Sequence, residues 1–154
     1  MKNKLVCILI IIFSILILSS QADENNIKVI SNELMINTNQ RTSTFTGSVY
    51  AKDNNLKVWA DIMTVSLEKD NDEIKNIVAA GNVKILRLNE GSEIYGNNAK
   101  YLLKEEIVIV TGDVLVIENG NEIIGNELTL DLVNSSSIMV GSSSKRVEAT
   151  IMKD

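Results

Sequence analysis

The chain has 154 residues, a length that suits one domain with one core, and it carries no proline, no histidine, one cysteine and only 4% aromatics. Its formal charge is −5, from 15 basic and 20 acidic residues, which excludes the dense Lys/Arg surface that nucleic-acid binding needs; the one basic pair, Lys145-Arg146, is too small a patch. Without histidine there is no His-based acid–base catalysis, no Ser-His or Cys-His nucleophile and no His-ligated zinc, so no enzyme activity, cofactor or metal is expected.

Residues 1–22 read as a signal peptide. Lys2 and Lys4 supply the positive start, Leu5 to Leu18 the apolar run, and Ser20-Gln21-Ala22 the small residues before a cleavage site. The run is shorter than the roughly 20 residues that span a bilayer; a retained membrane anchor is the alternative. Cys7 lies inside this run and reads as one more apolar residue. Cleavage leaves 13 basic and 20 acidic residues, a charge of −7, and a chain without cysteine. The remaining fold, 23–154, must then rest on burial and strand pairing alone.

That fold is built from a repeat of about 30 residues. Its copies are centred on Asn32, Asp61, Asn97 and Asn126, each between two stretches of alternating apolar residues. Interleaved with them is a Gly-x-Val element at Gly47, Gly81 and Gly112 that reads as the opening of a strand. Turn signals separate the segments at 52–55, 69–72, 89–92 and 119–121. At each Asn or Asp the apolar parity slips by one: Val58 and Ala60 give way to Met63, Val65 and Leu67, and Ile123 and Gly125 to Leu128 and Leu130. A one-residue slip turns every side chain over, so the strand must bend or bulge there to keep its apolar face inward. The corner Asn and Asp residues are expected to bond locally to the backbone.

Strands bent at one level and joined by hairpins stack into an all-β open jelly roll, or flattened antiparallel β-solenoid, whose two halves face each other. The inward set comprises Val49, Ala51, Val58, Met63, Val65, Leu67, Val83, Ile85, Ile94, Leu103, Val114, Val116, Leu128 and Leu130. It is aliphatic throughout, the lining an acyl-chain groove requires; a solid sandwich core is the competing reading. Carboxylate pairs such as Asp70/Asp72, Glu105/Glu106 and Glu118/Glu122 lie in turn-like segments and read as solvated surface charge.

The segments Ile30-Ser31-Asn32-Glu33-Leu34, Thr44-Phe45-Thr46-Gly47-Ser48-Val49, Ala60-Asp61, Gly81-Asn82-Val83, Val110-Thr111-Gly112-Asp113-Val114, Ile124-Gly125-Asn126-Glu127-Leu128 and Lys145-Arg146-Val147 follow one another over nearly all of the mature chain. Together they resemble the LptA/OstA-like family of lipopolysaccharide transport proteins, whose fold the membrane-anchored LptC shares. The Gly-Asn-Val motif is intact only at Gly81. The resemblance implies a periplasmic carrier that shields lipid A acyl chains. It further implies edge-strand contacts with an LptC-like anchored protein and an LptD-like outer-membrane translocon, and a head-to-tail homo-oligomer. The segments 28–36 and 138–152 are the expected edges. An anchored LptC-like component and a ligand-free structural solenoid are the alternatives.

Overall fold

The computed structural model describes residues 26–153, and the expected signal peptide lies outside them. Among the described residues there is no helix. Ten strands form one antiparallel sheet: β1 (Lys28–Ile30), β2 (Glu33–Asn37), β3 (Thr42–Lys52), β4 (Leu56–Leu67), β5 (Ile74–Arg87), β6 (Ser92–Leu102), β7 (Ile107–Glu118), β8 (Asn121–Asp131), β9 (Ser136–Val140) and β10 (Glu148–Thr150). β3 to β8 pair in chain order; β1 and β2 both pair with β3, and β9 and β10 both pair with β8. Each terminal pair therefore acts as one bent strand, and the two pairs form the free edges at the segments expected from sequence.

Every long strand bends near its middle, which divides the sheet into two leaves. The upper leaf holds β1, β10 and residues 49–52, 56–60, 83–87, 92–96, 114–118 and 121–125. The lower leaf holds β2, β9 and residues 42–46, 62–67, 74–80, 98–102, 107–111 and 127–131. At the bend, Gly47-Ser48, Gly81-Asn82 and Gly112-Asp113 stand opposite the single residues Asp61, Asn97 and Asn126. The extra residue of each bulge thus sits in β3, β5 and β7. Here the Gly-x-Val elements depart from expectation, since they lie at mid-strand and not at a strand start.

The two kinds of strand turn the same corner differently. In β4 the buried residues on either side of the bend, Ala60 and Met63, are three apart, and in β8 Gly125 and Leu128 repeat this slip of parity. In β5 and β7 the corresponding pairs, Ala79/Val83 and Val110/Val114, are four apart, because the extra residue restores the parity. Both bulge residues take positive φ, +83° and +47° at Gly47 and Ser48, +78° and +47° at Gly81 and Asn82, and +83° and +47° at Gly112 and Asp113. Glycine is needed at the first of them for a second reason, since a Cβ would collide with the corner side chain of the preceding strand. At Gly47 it would lie 2.7 Å from Asn32 Nδ2, at Gly112 2.6 Å from Asn97 Nδ2, and at Gly81 it would overlap the Asp61 carboxylate. That carboxylate accepts a hydrogen bond from Asn82 Nδ2 at 2.8 Å, a side-chain partner on the next strand instead of the local backbone expected.

The inner faces of both leaves share one core cluster, which includes Val49, Val83, Ile85, Ile94 and Val114 from the upper leaf and Met63, Val110, Leu128 and Leu130 from the lower. Half of the chain's few aromatic residues face the other way. Tyr50, Trp59, Lys84 and Tyr95 are successive cross-strand neighbours on the outer face of the upper leaf. Tyr50 and Trp59 have ring centroids 5.3 Å apart, and Lys84 Nζ lies 5.8 Å from the Trp59 centroid and 5.2 Å from that of Tyr95. Glu93 completes the row: its carboxylate accepts from the Tyr95 hydroxyl and pairs with Lys84 at 3.1 Å. These two contacts, the Tyr95 bond foremost, hold the Glu93 carboxyl below its ordinary range. Cross-strand pairs of this kind each contribute roughly 0.2–1 kcal/mol, so the row ties β3 to β6 from outside while aliphatics tie them from within.

Adding a methyl group at the bend should therefore cost far more than adding one at a turn. Gly81→Ala combines left-handed strain with the Asp61 collision and is expected to destabilise by about 3 kcal/mol. Gly91→Ala, at φ +66° with nothing near the added carbon, should lose only about 1 kcal/mol. Urea denaturation of both variants checks the difference.

Candidate functional site

An alternating sequence in a bent strand sends every second side chain into the space between the leaves, and cross-strand register aligns these side chains into rows. One row of the upper leaf runs Val29, Ala51, Val58, Ile85, Ile94, Val116, Ile123, Ala149. One row of the lower leaf runs Leu34, Phe45, Met63, Ala79, Ala99, Val110, Leu128, Met139. Together these rows form two opposed aliphatic walls.

Nine of the fourteen residues singled out from sequence are buried in this interior: Val49, Ala51, Met63, Val83, Ile85, Ile94, Val114, Leu128 and Leu130. Val58 and Val116 are half-buried and pack against them. Val65 and Leu67 are half-buried at the mouth end of β4, and Leu103 is half-buried in the turn beyond β6. Sequence reasoning missed Leu56, Ala79, Val108 and Val110, all buried, while Ala99 is buried on the face that the parity slip at Asn97 gives it. Unbroken alternation carried back from Val83 in β5 and from Val114 in β7, whose parity does not slip, would have found Ala79, Val108 and Val110.

The walls close on each other over much of their length. What remains near the mouth is a cavity of about 60 Å³, lined by residues of both leaves that include Ala51, Leu56, Met63, Ala79, Ile85, Ala99 and Tyr101. It has room for a few water molecules and none for a lipid chain. Tyr101 brings a phenolic hydroxyl to this cavity, and burial, followed by the nearby Asp53 and Glu106 carboxylates, raises its pKa above the ordinary phenol value. The hydroxyl accordingly stays neutral at physiological pH. Among the described residues no cluster of His, Cys, Asp and Glu is placed to hold a metal ion.

At the two ends of the sheet the leaves do not cover each other. Beside β10 a recess of about 340 Å³ is lined only by upper-leaf residues, among them Val116, Ile123, Ala149 and Ile151. Beside β3 the inward-facing Leu34 and Ile36 of β2 are 50% and 68% exposed. One inner wall is thus left bare at each end, the upper leaf's at the β10 end and the lower leaf's at the β2 end. Other exposed large apolar side chains also gather at these edges, including Ile30 and Met35 at one and Ile138, Ile151 and Met152 at the other. Isolated exposed leucines need no explanation, but patches of this kind mark contact surfaces.

This arrangement defines an open β-jelly roll with an aliphatic interior and two unfinished edges. The chain belongs to the family of LptA/(LptD N-terminal domain) LPS transport proteins, which it matches over residues 28–135. The fold is also that of LptH from Pseudomonas aeruginosa, described as the LptA homologous periplasmic component of the conserved lipopolysaccharide transport device. That structure superposes with a TM-score of 0.75 at 15% identity, covering 87% of this chain and 100% of that one. No curated protein sequence matches the chain significantly.

Narrowing the cavity from the wall should show what it contributes. Ala99→Leu places a branched chain in the space bounded by Met63, Ile85 and Val108. The variant is expected to lose about 1–3 kcal/mol by overpacking and to lose most of its capture of alkyl-chain probes, measured by displacement of a fluorescent fatty acid.

Proposed function

We propose that the chain is a periplasmic carrier of lipopolysaccharide that takes the acyl chains of lipid A between its two leaves and leaves the polar headgroup at the mouth. The observation that supports this most directly is the pair of opposed walls, mostly aliphatic and uncharged inside the rim row that carries Arg87. Each methylene moved from water into such a space is worth about 0.8 kcal/mol, so one chain supplies several kcal/mol. Because the resident cavity is only about 60 Å³, loading requires the leaves to part about their common bend. Cleavage of the leader at Ala22 would release the carrier into the periplasm; retention of that segment would make it an anchored LptC-like component instead. N-terminal sequencing of the exported protein separates the two.

The edges suit strand addition. β1 and β2 run from the upper rim to the lower, and β9 and β10 run back, so a second copy placed head to tail sets its β1/β2 antiparallel to β9/β10. The bare lower-leaf wall at Leu34 and Ile36 would then lie below the recess at Val116, Ile123 and Ile151. An LptC-like protein at one edge and an LptD-like translocon at the other would be met in the same way.

Crosslinking tests the cargo. Photo-reactive side chains at the inward Val65 and Leu130 should capture lipopolysaccharide, while the outward Thr64 and Thr129 should not. Equal capture at both pairs would remove the groove and favour a ligand-free structural solenoid, the reading to which the near-closed interior points. Association is tested at the edges. Ile36→Lys and Ile151→Lys should each shift sedimentation toward the monomer while changing stability by no more than about 0.5 kcal/mol, and a wild-type chain that is monomeric at every concentration would sink the stacking.

A further inference from the structure

The mouth of the groove is not uniformly apolar. Next to the aliphatic cavity lies a second pocket of about 180 Å³, lined by Asn55, Leu56, Arg87, Asn89 and Glu90 from the upper rim and by Leu132 and Ser135 from the turn after β8. Both rims contribute to it, so it straddles the opening between the leaves. Leu56 lines this pocket and the aliphatic cavity alike, which places the two spaces side by side as one amphipathic site.

The polar lining has a definite chemistry. Arg87 is tied to Glu90 through both guanidinium nitrogens, so the pocket carries no net charge. A phosphate would have to take Arg87 away from Glu90 and then face the released carboxylate. Asn89 Nδ2 donates to Asn55 Oδ1 at 3.3 Å, a long bond, and among the described residues neither side-chain amide makes another. Two amides that can both donate and accept, a hydroxyl, and an ion pair therefore meet two leucines in a neutral space. Ser92, directly opposite Arg87 in the register, lies behind this lining and is not part of it; it is 1% exposed and has no hydrogen-bond partner among the described residues. Such an orphan ordinarily costs free energy.

Resting on the carrier reading above, we infer that this pocket binds a sugar ring of a glycolipid headgroup while the attached acyl chain enters the adjoining cavity. A pyranose presents hydroxyls around its edge, each both donor and acceptor, and C–H groups on its faces. The asparagine amides and the Arg87–Glu90 pair match the edge, and Leu56 and Leu132 match a face. The pocket thereby selects amphiphiles by headgroup, a task that aliphatic walls cannot perform because one alkyl chain resembles another.

The test compares n-dodecyl maltoside with n-dodecylphosphocholine, which share one alkyl chain and differ in headgroup, at concentrations below micelle formation. The full-length exported protein should bind the maltoside about five- to ten-fold more tightly, the increment expected of one or two hydrogen bonds. In the double variant Asn55→Ala/Asn89→Ala that preference should vanish, with affinity for the phosphocholine unchanged. Serial substitution of exposed side chains leaves the core intact, and thermal melts confirm folding. Equal wild-type affinities, a preference for the phosphocholine, or a preference that survives the double variant would each overturn the sugar pocket while leaving the aliphatic groove standing. Failure of the wild type to bind either amphiphile would overturn both.

Discussion

At three of the four corners the side chain of an Asn or Asp occupies the place that a Cβ would need on the neighbouring strand. This contact, repeated from Asn32 over Gly47, Asp61 over Gly81 and Asn97 over Gly112, holds the strands from β3 to β7 to one corner level. Were one bend to slip along its strand, the inner residues of that strand would face outward on one leaf, and the aliphatic wall would break there. The two-leaved shape, the opposed rows and the cavity between them all depend on this alignment.

The alignment also divides the chemistry between the faces. Mostly aliphatic side chains, from Ala79 to Met63, with Phe45 and Tyr101 packed against them, fill the inside, and no charged group interrupts the walls inside the rim. The outside carries the directional contacts, with Tyr50, Trp59, Lys84, Tyr95 and Glu93 linked across four strands. Ring contacts and ion pairs hold β3 to β6 from the outer side, so the strands stay joined without polar groups inside the groove. Polar contacts on the interior side are confined to the rim, where Arg87, Glu90 and two asparagines meet the leucines.

Much of this was legible in the sequence, because a slip of parity at Asp61 or Asn126 is a local signal with one geometric meaning. The glycines were harder to place. Gly-x-Val resembles a strand opening after a turn, and nothing in the local sequence says that Gly81 lies against Asp61, twenty residues earlier; that pairing exists only once β4 and β5 are in register. The turns at 38–41, 103–106 and 132–135 were also silent, since the left-handed position in each is taken by Arg41, Glu106 or Ser135 and not by glycine. The rim pocket had no sequence signal at all: Asn55 and Ser135 lie eighty residues apart and line one pocket only once the sheet is folded into two leaves. Whether the walls touch or stand open depends on side-chain volumes summed across both leaves, which periodicity does not report.

The near-contact of the walls bears on the economy of passing cargo along. An empty protein of this kind shelters its own apolar surface, so what cargo gains on entering is only the difference between touching aliphatic side chains and those side chains touching each other. On the proposed carrier reading, exchange between two such vessels would be close to thermoneutral, with a barrier set by prising the vessel apart. A row of them would therefore conduct in either direction, and the sense of flow would belong to whatever pushes at one end.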